Sequence, residues 1–287
     1  MSAYLKRWIT AFSTATILSI NISSFFFRIM PYTLGLTMIA THAYGESPSP
    51  TITSGSVEVS ALHSRLSGGN SDWNDQYLRG SWKISPIGSI NGEISNQNHF
   101  ADQGIFIGTG YTHIFNDTWH GSLSAGTSAG GFFLPKTRID GSISKKWLAK
   151  KTLVSNIGLG YYQAKDAHSD RHLLLSALYY FDMPLIMEAG IRFNESNPGS
   201  VHSNRSFAVL TYGKIKQHYF TLRYETGREA YQFIGEDTTI SDFSSNEISL
   251  IWRQWFSKDY GLTVLTNHYS NPYYDRSGIQ IGVFHDY

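Results

Sequence analysis

The feature that most constrains the fold is an alternation of apolar and polar side chains within segments of about ten residues. In the last segment, Gly278 to Tyr287, the apolar face carries Ile279, Ile281 and Val283, and the opposite face carries Gln280, Gly282 and Asp286. A period of two is typical of a β-strand that meets two different environments. About ten residues also cross a bilayer when the strand is tilted. The pattern therefore predicts a transmembrane strand, with the last strand of a soluble β-sandwich as the alternative.

The composition favours the membrane interpretation. The 287 residues include 15% aromatic and 16% charged residues, which is aromatic-rich and charge-poor for a soluble domain, yet the mean hydropathy is −0.23. A barrel accounts for both values because lipid-facing residues alternate with polar lumen-facing ones. The formal net charge of +1 gives no electrostatic reason to expect nucleic acid as a partner. The absence of cysteine excludes disulfides and Cys-ligated metal sites.

The first 45 residues have the features of an export signal. Lys6 and Arg7 precede apolar runs over 8–27 and 29–43, and Ala43-Tyr44-Gly45 is a small-x-small cleavage sequence. We expect residues 1–45 to be removed and 46–54 to form a short tail. The alternatives are translation from Met30 and an uncleaved inner-membrane anchor over 8–27.

The remaining residues, 55–287, show strand-like segments that are separated alternately by short and long breaks. The short breaks are 85–88, 116–118, 148–151, 182–184, 213–216 and 257–259, and the long ones are 68–75, 98–103, 129–134, 165–171, 194–204, 227–245 and 271–277. This alternation is typical of bacterial barrels, with short turns in the periplasm and longer loops outside. We predict an all-β, single-chain, transmembrane antiparallel up-and-down barrel of about 14 strands. The number would be 12 if the first segment or the segments that flank the loops do not form strands. Both ends would lie on the periplasmic side.

The alternation also predicts which side chains face the lumen. Leu185, Met187, Ala189, Ile191 and Phe193 would meet lipid, as would Phe220, Leu222 and Tyr224. Lys83 would then face inward, as would a charge network made of Glu58, Arg79, Arg138, Asp140, Glu188, Arg192, Arg223, Glu225, Glu247 and Arg253. Basic residues on the lipid face would each cost roughly 2–4 kcal/mol near the midplane.

Mixed charges at this density would pair across the lumen and partly close it, whereas an ion-selective pore would show a ring of one sign. We therefore favour a narrow channel or binding scaffold over a general porin. Arginine and aromatic side chains also suit hydroxyl-rich or carboxylated sugars. Structural pairing alone is the alternative.

Aromatic residues cluster beside the short breaks: Phe115, Trp119, Trp147, Tyr180, Phe181, Tyr219, Trp255, Phe256 and Tyr260. Aromatic rings concentrate at membrane–water interfaces, so we predict that these residues form the periplasmic girdle.

The chain resembles the YaiO family of outer-membrane β-barrels over most of residues 54–287. The resemblance rests on strand order, on Lys151-Thr152-Leu153 followed by Gly160-Tyr161-Tyr162, and on Glu225-Thr226-Gly227-Arg228-Glu229-Ala230-Tyr231. It implies a location in the outer membrane of a Gram-negative bacterium, with a suggested link to exopolysaccharide or envelope functions. It supplies no catalytic residues.

The final strand is also similar to the C-terminal signal that barrel-assembly machinery recognises, which would make that machinery a partner through Gly278 to Tyr287. His285 departs from that pattern, and Tyr287 stands where Phe is commoner.

An enzyme would need a serine with a histidine and an orienting partner. The candidate histidines are His63, His113, His120, His168, His172, His202, His218, His268 and His285. His63 and Ser64 point to opposite faces of a strand and cannot form a dyad. The stretch Asn194 to Gly199 is faintly similar to the serine segment of outer-membrane phospholipases, but Asn194 replaces the histidine.

Two acidic groups, Glu236-Asp237 with Asp242 and Asp166 with His168 and Asp170, are expected to be solvated loop residues rather than calcium ligands. We expect no metal and no cofactor. The sequence leaves three functions open: a channel or accessory for polysaccharide passage, a lipid hydrolase with a Ser/His site, and a purely structural barrel. An open bore would favour passage, and a hydrogen-bonded Ser/His pair at the outer lipid edge would favour hydrolysis.

Overall fold

The computed structural model describes residues 54–287, which form a closed antiparallel barrel. Its fourteen strands are β1 (Gly55–Leu66), β2 (Trp73–Ser85), β3 (Gly88–His99), β4 (Asp102–Ile114), β5 (Trp119–Gly130), β6 (Thr137–Trp147), β7 (Leu153–Gln163), β8 (Ser169–Tyr180), β9 (Leu185–Asn197), β10 (Val201–Lys214), β11 (His218–Gly235), β12 (Thr238–Trp255), β13 (Tyr260–Ser270) and β14 (Asp275–Asp286). The predicted fold class and the count of 14 strands are confirmed. The predicted export signal lies outside the described residues.

Every strand pairs with its neighbours in sequence, and β1 pairs with β14 to close the barrel. The seam runs from Ser56 opposite Asp286 to Leu66 opposite Arg276. Closure leaves no unpaired strand edge, which a chain surrounded by hydrocarbon requires. We call the end that holds Gly55 the terminal end, and the opposite end the distal end.

The outer surface carries the apolar side chains of the alternation. Ile279, Ile281 and Val283 are exposed on β14, whereas Gln280 between them is buried. The outward positions predicted on β9 and β11 include the exposed side chains Met187, Phe193, Phe220, Leu222 and Tyr224. No helix in residues 54–287 is long and apolar enough to cross a membrane.

Part of the predicted aromatic girdle is wrong. Phe115, Trp147, Phe181, Phe256 and Tyr260 are exposed at the terminal end as expected. Trp255 is instead buried, and its indole Nε1 donates to Asp286 Oδ2 at 2.9 Å. Tyr180 lines the lumen, and the partly buried Tyr219 ring lies 5.8 Å from that of Trp255. The cause is strand parity, since these three residues sit at inward positions.

The predicted contrast between short and long connections is also wrong. The break predicted at 227–245 is a continuation of β11 and β12, which have 18 residues each and are joined by Glu236-Asp237. The predicted loop at 98–103 shrinks to Phe100-Ala101, and the one at 194–204 shrinks to 198–200. Strands that extend beyond the membrane keep their backbone hydrogen bonds paired, so the chain prolongs hairpins where we predicted loops.

The largest group of buried apolar side chains lies at the distal end. It consists of Leu62, Trp73, Tyr77, Ile240, Phe243, Leu265, Tyr269 and Tyr274. Ile240 and Phe243 belong to the long part of β12, so the β11–β12 hairpin packs against the barrel instead of standing free in solvent.

Candidate functional site

One side of the lumen is filled by a buried ion-pair network. Its pairs are Arg79–Glu93 at 2.8 Å, Arg79–Glu58 at 3.8 Å, Arg253–Glu58 at 2.8 Å, Arg205–Glu225 at 3.2 Å, Arg205–Glu229 at 3.1 Å, Arg223–Glu225 at 2.5 Å and Arg276–Glu247 at 3.0 Å. These residues come from β1–β3, β10–β12 and β14. We call this set the ion-pair network.

The network combines ion pairs with hydrogen bonds and ring contacts. Glu229 Oε1 also accepts from Ser245 Oγ at 2.6 Å and from the Tyr269 hydroxyl at 2.9 Å. The Arg223 guanidinium lies 4.4 Å from the centre of the Phe207 ring. Buried charges are tolerated only with this kind of compensation, so the network fixes the packing of its side of the lumen.

Six of the ten residues that we predicted for the lumen charge network lie in this ion-pair network: Glu58, Arg79, Arg223, Glu225, Glu247 and Arg253. The other four, Arg138, Asp140, Glu188 and Arg192, line a cavity on the opposite side. Sequence reasoning missed Glu93, Arg205, Glu229 and Arg276. Glu93 could have been found from the alternation around Ile90 and Ile94, whereas Glu229 and Arg276 fell in segments taken as loops.

The cavity has a volume of about 650 Å³ and follows the inward faces of β3 to β10. Its wall is rich in small hydroxyl and amide side chains. Ser122 Oγ lies 2.8 Å from Ser142 Oγ, and Ser144 donates to Asn156 Oδ1 at 2.9 Å. This volume falls in the range of sites that bind small molecules or a few sugar units.

Charged groups in the cavity wall are close to one another. Arg138 Nε donates to Asp140 Oδ2 at 2.6 Å, and His172 Nε2 lies 3.6 Å from Asp140 Oδ1. Gly160 stands between Asp140 and His172 in the sheet, and a side chain there would collide with the imidazole. The glycine therefore lets these two side chains meet across a strand.

The cavity opens at the terminal end and is closed at the distal end. Its terminal lining includes Asn116, Asp117, Lys150 and Lys151, which are exposed turn residues. Its distal lining includes the buried side chains of Gln97, Ser196, Ser203 and Ala230. The entrance is thus at the terminal end, the end that the sequence analysis predicts to face the periplasm.

Residues 131–136, which connect β5 to β6 and which we call the plug loop, lie at the distal mouth of the barrel. Gly130 and Gly131 have φ values of +64° and +63°, a left-handed conformation that favours glycine and turns the chain. Phe133 and Leu134 are buried at 4% and 0% exposure. The Phe133 carbonyl accepts from the Tyr162 hydroxyl at 3.4 Å. The plug loop is therefore packed into the barrel mouth.

The β11–β12 hairpin completes the closure. Its Tyr231 and Phe233 rings contact His168 of the β7–β8 connection at 5.0 and 5.1 Å between centroids, which spans the mouth past β8, β9 and β10. The cavity enclosed among Trp73, Phe133, Tyr231 and their neighbours has a volume of about 50 Å³. This space suits one or two water molecules and is too small for a sugar.

A serine and a histidine do meet on the outer surface. His268 Nδ1 lies 2.9 Å from Ser277 Oγ, next to Ile279 at the distal edge of the apolar band. In the described part of the chain, His268 shows no second hydrogen bond that would orient its ring. The pair thus lacks the third member of a catalytic triad. Residues 54–287 also contain no group of three or more His, Asp or Glu arranged to hold a metal.

The match to a family model decides the relationship of this barrel to known proteins. The model of the YaiO membrane beta barrel domain matches residues 54–232. The chain belongs to the YaiO membrane beta barrel family. This confirms the resemblance inferred from the sequence, and the YaiO-family barrel lies in the outer membrane, embedded in its lipid bilayer. No curated protein matches the chain.

Solved structures share the barrel architecture with this YaiO-family protein at low identity. The anion-selective porin from Comamonas acidovorans has a TM-score of 0.47 and 9% identity, covering 82% of this chain and 99% of the porin. The CymD monoaromatic hydrocarbon channel has a TM-score of 0.49 and 8% identity over 82% and 87% of the two chains. The translocator domain of autotransporter NalP from Neisseria meningitidis has a TM-score of 0.44 and 11% identity over 88% and 94%. None of these similarities carries an argument about what the YaiO-family barrel binds.

Proposed function

We propose that this barrel is a narrow, gated passage for saccharide that is entered from the periplasm. The observation that carries the proposal is the cavity of about 650 Å³, which extends from the exposed Lys150 and Lys151 at the terminal end to Tyr162, whose hydroxyl donates to the Phe133 carbonyl of the plug loop. A barrel that served only as a structural element would gain stability if side chains filled this space. The ion-pair network fills the other side of the lumen, so the free path lies along β3 to β10.

The lining suits a hydroxyl-rich solute. Serine hydroxyls and asparagine amides such as Ser124, Ser176, Asn91 and Asn156 both donate and accept hydrogen bonds, as sugar hydroxyls do. The lining carries both signs of charge, with Arg138 paired to Asp140 at 2.6 Å. An ion-selective pore would instead present one dominant sign. These properties favour neutral chains that pass slowly through a narrow bore.

The test measures flux through the purified barrel in lipid vesicles and planar bilayers. The wild type should show low conductance, and Phe133→Ala with Leu134→Ala should raise both conductance and the efflux of a neutral oligosaccharide at least tenfold. The matched control is Phe115→Ala with Leu148→Ala, which removes two exposed apolar side chains at the terminal end. Equal flux in all three proteins would overturn the proposal.

One observation favours a second candidate, lipid hydrolysis at the outer surface. The contact of 2.9 Å between His268 Nδ1 and Ser277 Oγ lies where acyl chains meet headgroups. Mixed vesicles of phospholipid and lipopolysaccharide would reveal released fatty acid. Hydrolysis that disappears in Ser277→Ala but persists in the plug-loop variant would support the enzyme. Turnover that is absent from the wild type would exclude it under those conditions.

A further inference from the structure

The inner wall formed by β3, β4 and β5 carries an aromatic ring, Phe106, that packs against two glycines. Phe106 occupies an inward position of β4 between the exposed Ile105 and Ile107. A Cβ added at Gly126 would lie 2.7 Å from Phe106 Cε2, and one added at Gly108 would lie 2.9 Å from Cε1. The outer end of the ring therefore occupies the space beside both glycines, and Phe106 also lines the cavity.

Polar groups surround this ring on adjacent strands. The sheet register places Gly126 beside Arg138 and Gly108 beside Glu93. One step toward the terminal end, the Asn91 amide lies over Gly110, where an added Cβ would be 2.7 Å from its Oδ1. The wall thus presents an aromatic ring with an amide and a guanidinium on adjacent strands, across four strands that span roughly 15 Å.

We infer that Phe106 is the platform of a pyranose-binding site in the lumen, with Asn91 and the Arg138–Asp140 pair as its polar contacts. The inference rests on the proposed function and specifies the solute as a neutral sugar chain. A pyranose ring has C–H groups on one face and hydroxyls around its edge. The face of the Phe106 ring would contact the C–H groups. The surrounding amide, guanidinium and carboxylate would bind the hydroxyls.

The charges beside the ring argue for a neutral sugar over an acidic one. Arg138 is held by Asp140 at 2.6 Å, and Glu93 is held by Arg79 at 2.8 Å. Arg138 therefore has an acidic partner, and a carboxylated sugar bound beside Phe106 would meet the carboxylates of Asp140 and Glu93. The lysines at the entrance, Lys150 and Lys151, are likewise paired with Asp182 and Asp117 at 3.0 and 3.1 Å.

The experiment is calorimetric titration of the full-length barrel in detergent with neutral hexasaccharides that differ in linkage and N-acetylation. An oligogalacturonate of the same length is the charged comparison. At least one neutral chain should bind, and Phe106→Leu should weaken that binding roughly five- to tenfold, as expected for loss of an aromatic contact. Phe207→Leu is the matched control, because its inward ring lies beneath Arg223 in the ion-pair network.

A second variant tests the position of the ring without removing it. Gly126→Ala should lift Phe106 off the wall and weaken binding by a similar factor. Gly92→Ala is its control, because that lipid-facing glycine has no neighbouring heavy atom closer than 3.7 Å to an added Cβ. The inference is overturned if no neutral chain binds, if oligogalacturonate binds more tightly, or if Phe106→Leu binds as the wild type does.

Flux and binding separate the two proposals. Binding that depends on Phe106 without saccharide efflux from the plug-loop variant would retain the site and reject passage. Efflux that is insensitive to Phe106→Leu, together with unchanged binding, would retain passage and reject the site.

Discussion

The Phe133 ring lies flat against the His99 imidazole, with centroids 3.9 Å apart and planes 7° apart. The other face of His99 stacks on Trp73 at 4.6 Å and 4°. His99 Nε2 also lies 3.4 Å from Asp75 Oδ1, and both side chains are buried. The plug loop is thus held by a three-ring stack whose centre is fixed to β2.

Removing the middle ring should loosen the plug loop without changing the loop itself. We expect His99→Ala to increase the frequency of channel openings in planar bilayers about tenfold, since aromatic pairs contribute about 0.5–1.5 kcal/mol each. His285→Ala is the control, because His285 stacks on Tyr260 at 4.4 Å at the terminal end. If the two variants open with the same frequency, the stack does not control the plug loop.

The ion-pair network should be sensitive to the loss of a single cation. Arg205→Met would leave Glu225 and Glu229 without a shared partner, and we expect a loss of about 3–5 kcal/mol in the free energy of unfolding. Arg228→Met is the comparison, because the Arg228–Asp242 pair is more than half exposed and should contribute less than about 1 kcal/mol. Urea unfolding of the barrel in lipid vesicles, followed by tryptophan fluorescence, measures the difference. Equal losses would contradict the assigned burial.

An arginine should destabilise the barrel more on the lipid-facing surface than on the lumen-facing surface. Ile281→Arg places a charge among lipid chains and should lower the free energy of unfolding by roughly 2–4 kcal/mol. Ser142→Arg places the same charge in the cavity and should have a smaller effect. The same urea titration tests both variants, and a larger loss for Ser142→Arg would contradict the orientation of these strands.

The final residue should affect assembly more than stability. If assembly machinery recognises Gly278 to Tyr287, Tyr287→Ala should reduce the heat-modifiable barrel recovered from cells severalfold. Refolding of the purified variant into vesicles should change little. Tyr273→Ala, which removes an exposed tyrosine from the distal connection, is the control in both assays. A refolding defect as large as the cellular one would point to lost packing on Gly55 instead.

Local alternation was sufficient to predict the strand number and the facing of most side chains, but not of girdle residues such as Trp255 and Tyr180. Leu185 to Phe193 illustrates why, because each step of two along a strand returns to the same face, and lipid tolerates only apolar side chains there. The extent of β11 and β12 could not be predicted in this way. Residues beyond the membrane meet water on their outer face, so polar residues such as Arg228 and Ser241 fit a strand as well as a loop.

The ion-pair partners of the inward charges could not be predicted from local sequence patterns. Arg253 bonds Glu58 at 2.8 Å although 195 positions separate them, because closure brings β12 near β1. The plug loop presented the same difficulty. Phe133 lay in a segment predicted as an outer loop, and its burial depends on His99 of another hairpin. Neither contact leaves a periodic signal in the sequence.

Glu58 forms ion pairs with Arg253, near the C-terminal end of the chain, and with Arg79, near the start of the barrel. In a partly assembled sheet whose first and last strands have not met, this carboxylate would lack one of its two cations. An open intermediate would therefore carry a poorly compensated charge at its rim, which penalises premature release into hydrocarbon. Joining the seam removes that penalty, so the interior electrostatics favour the closed ring over the open sheet.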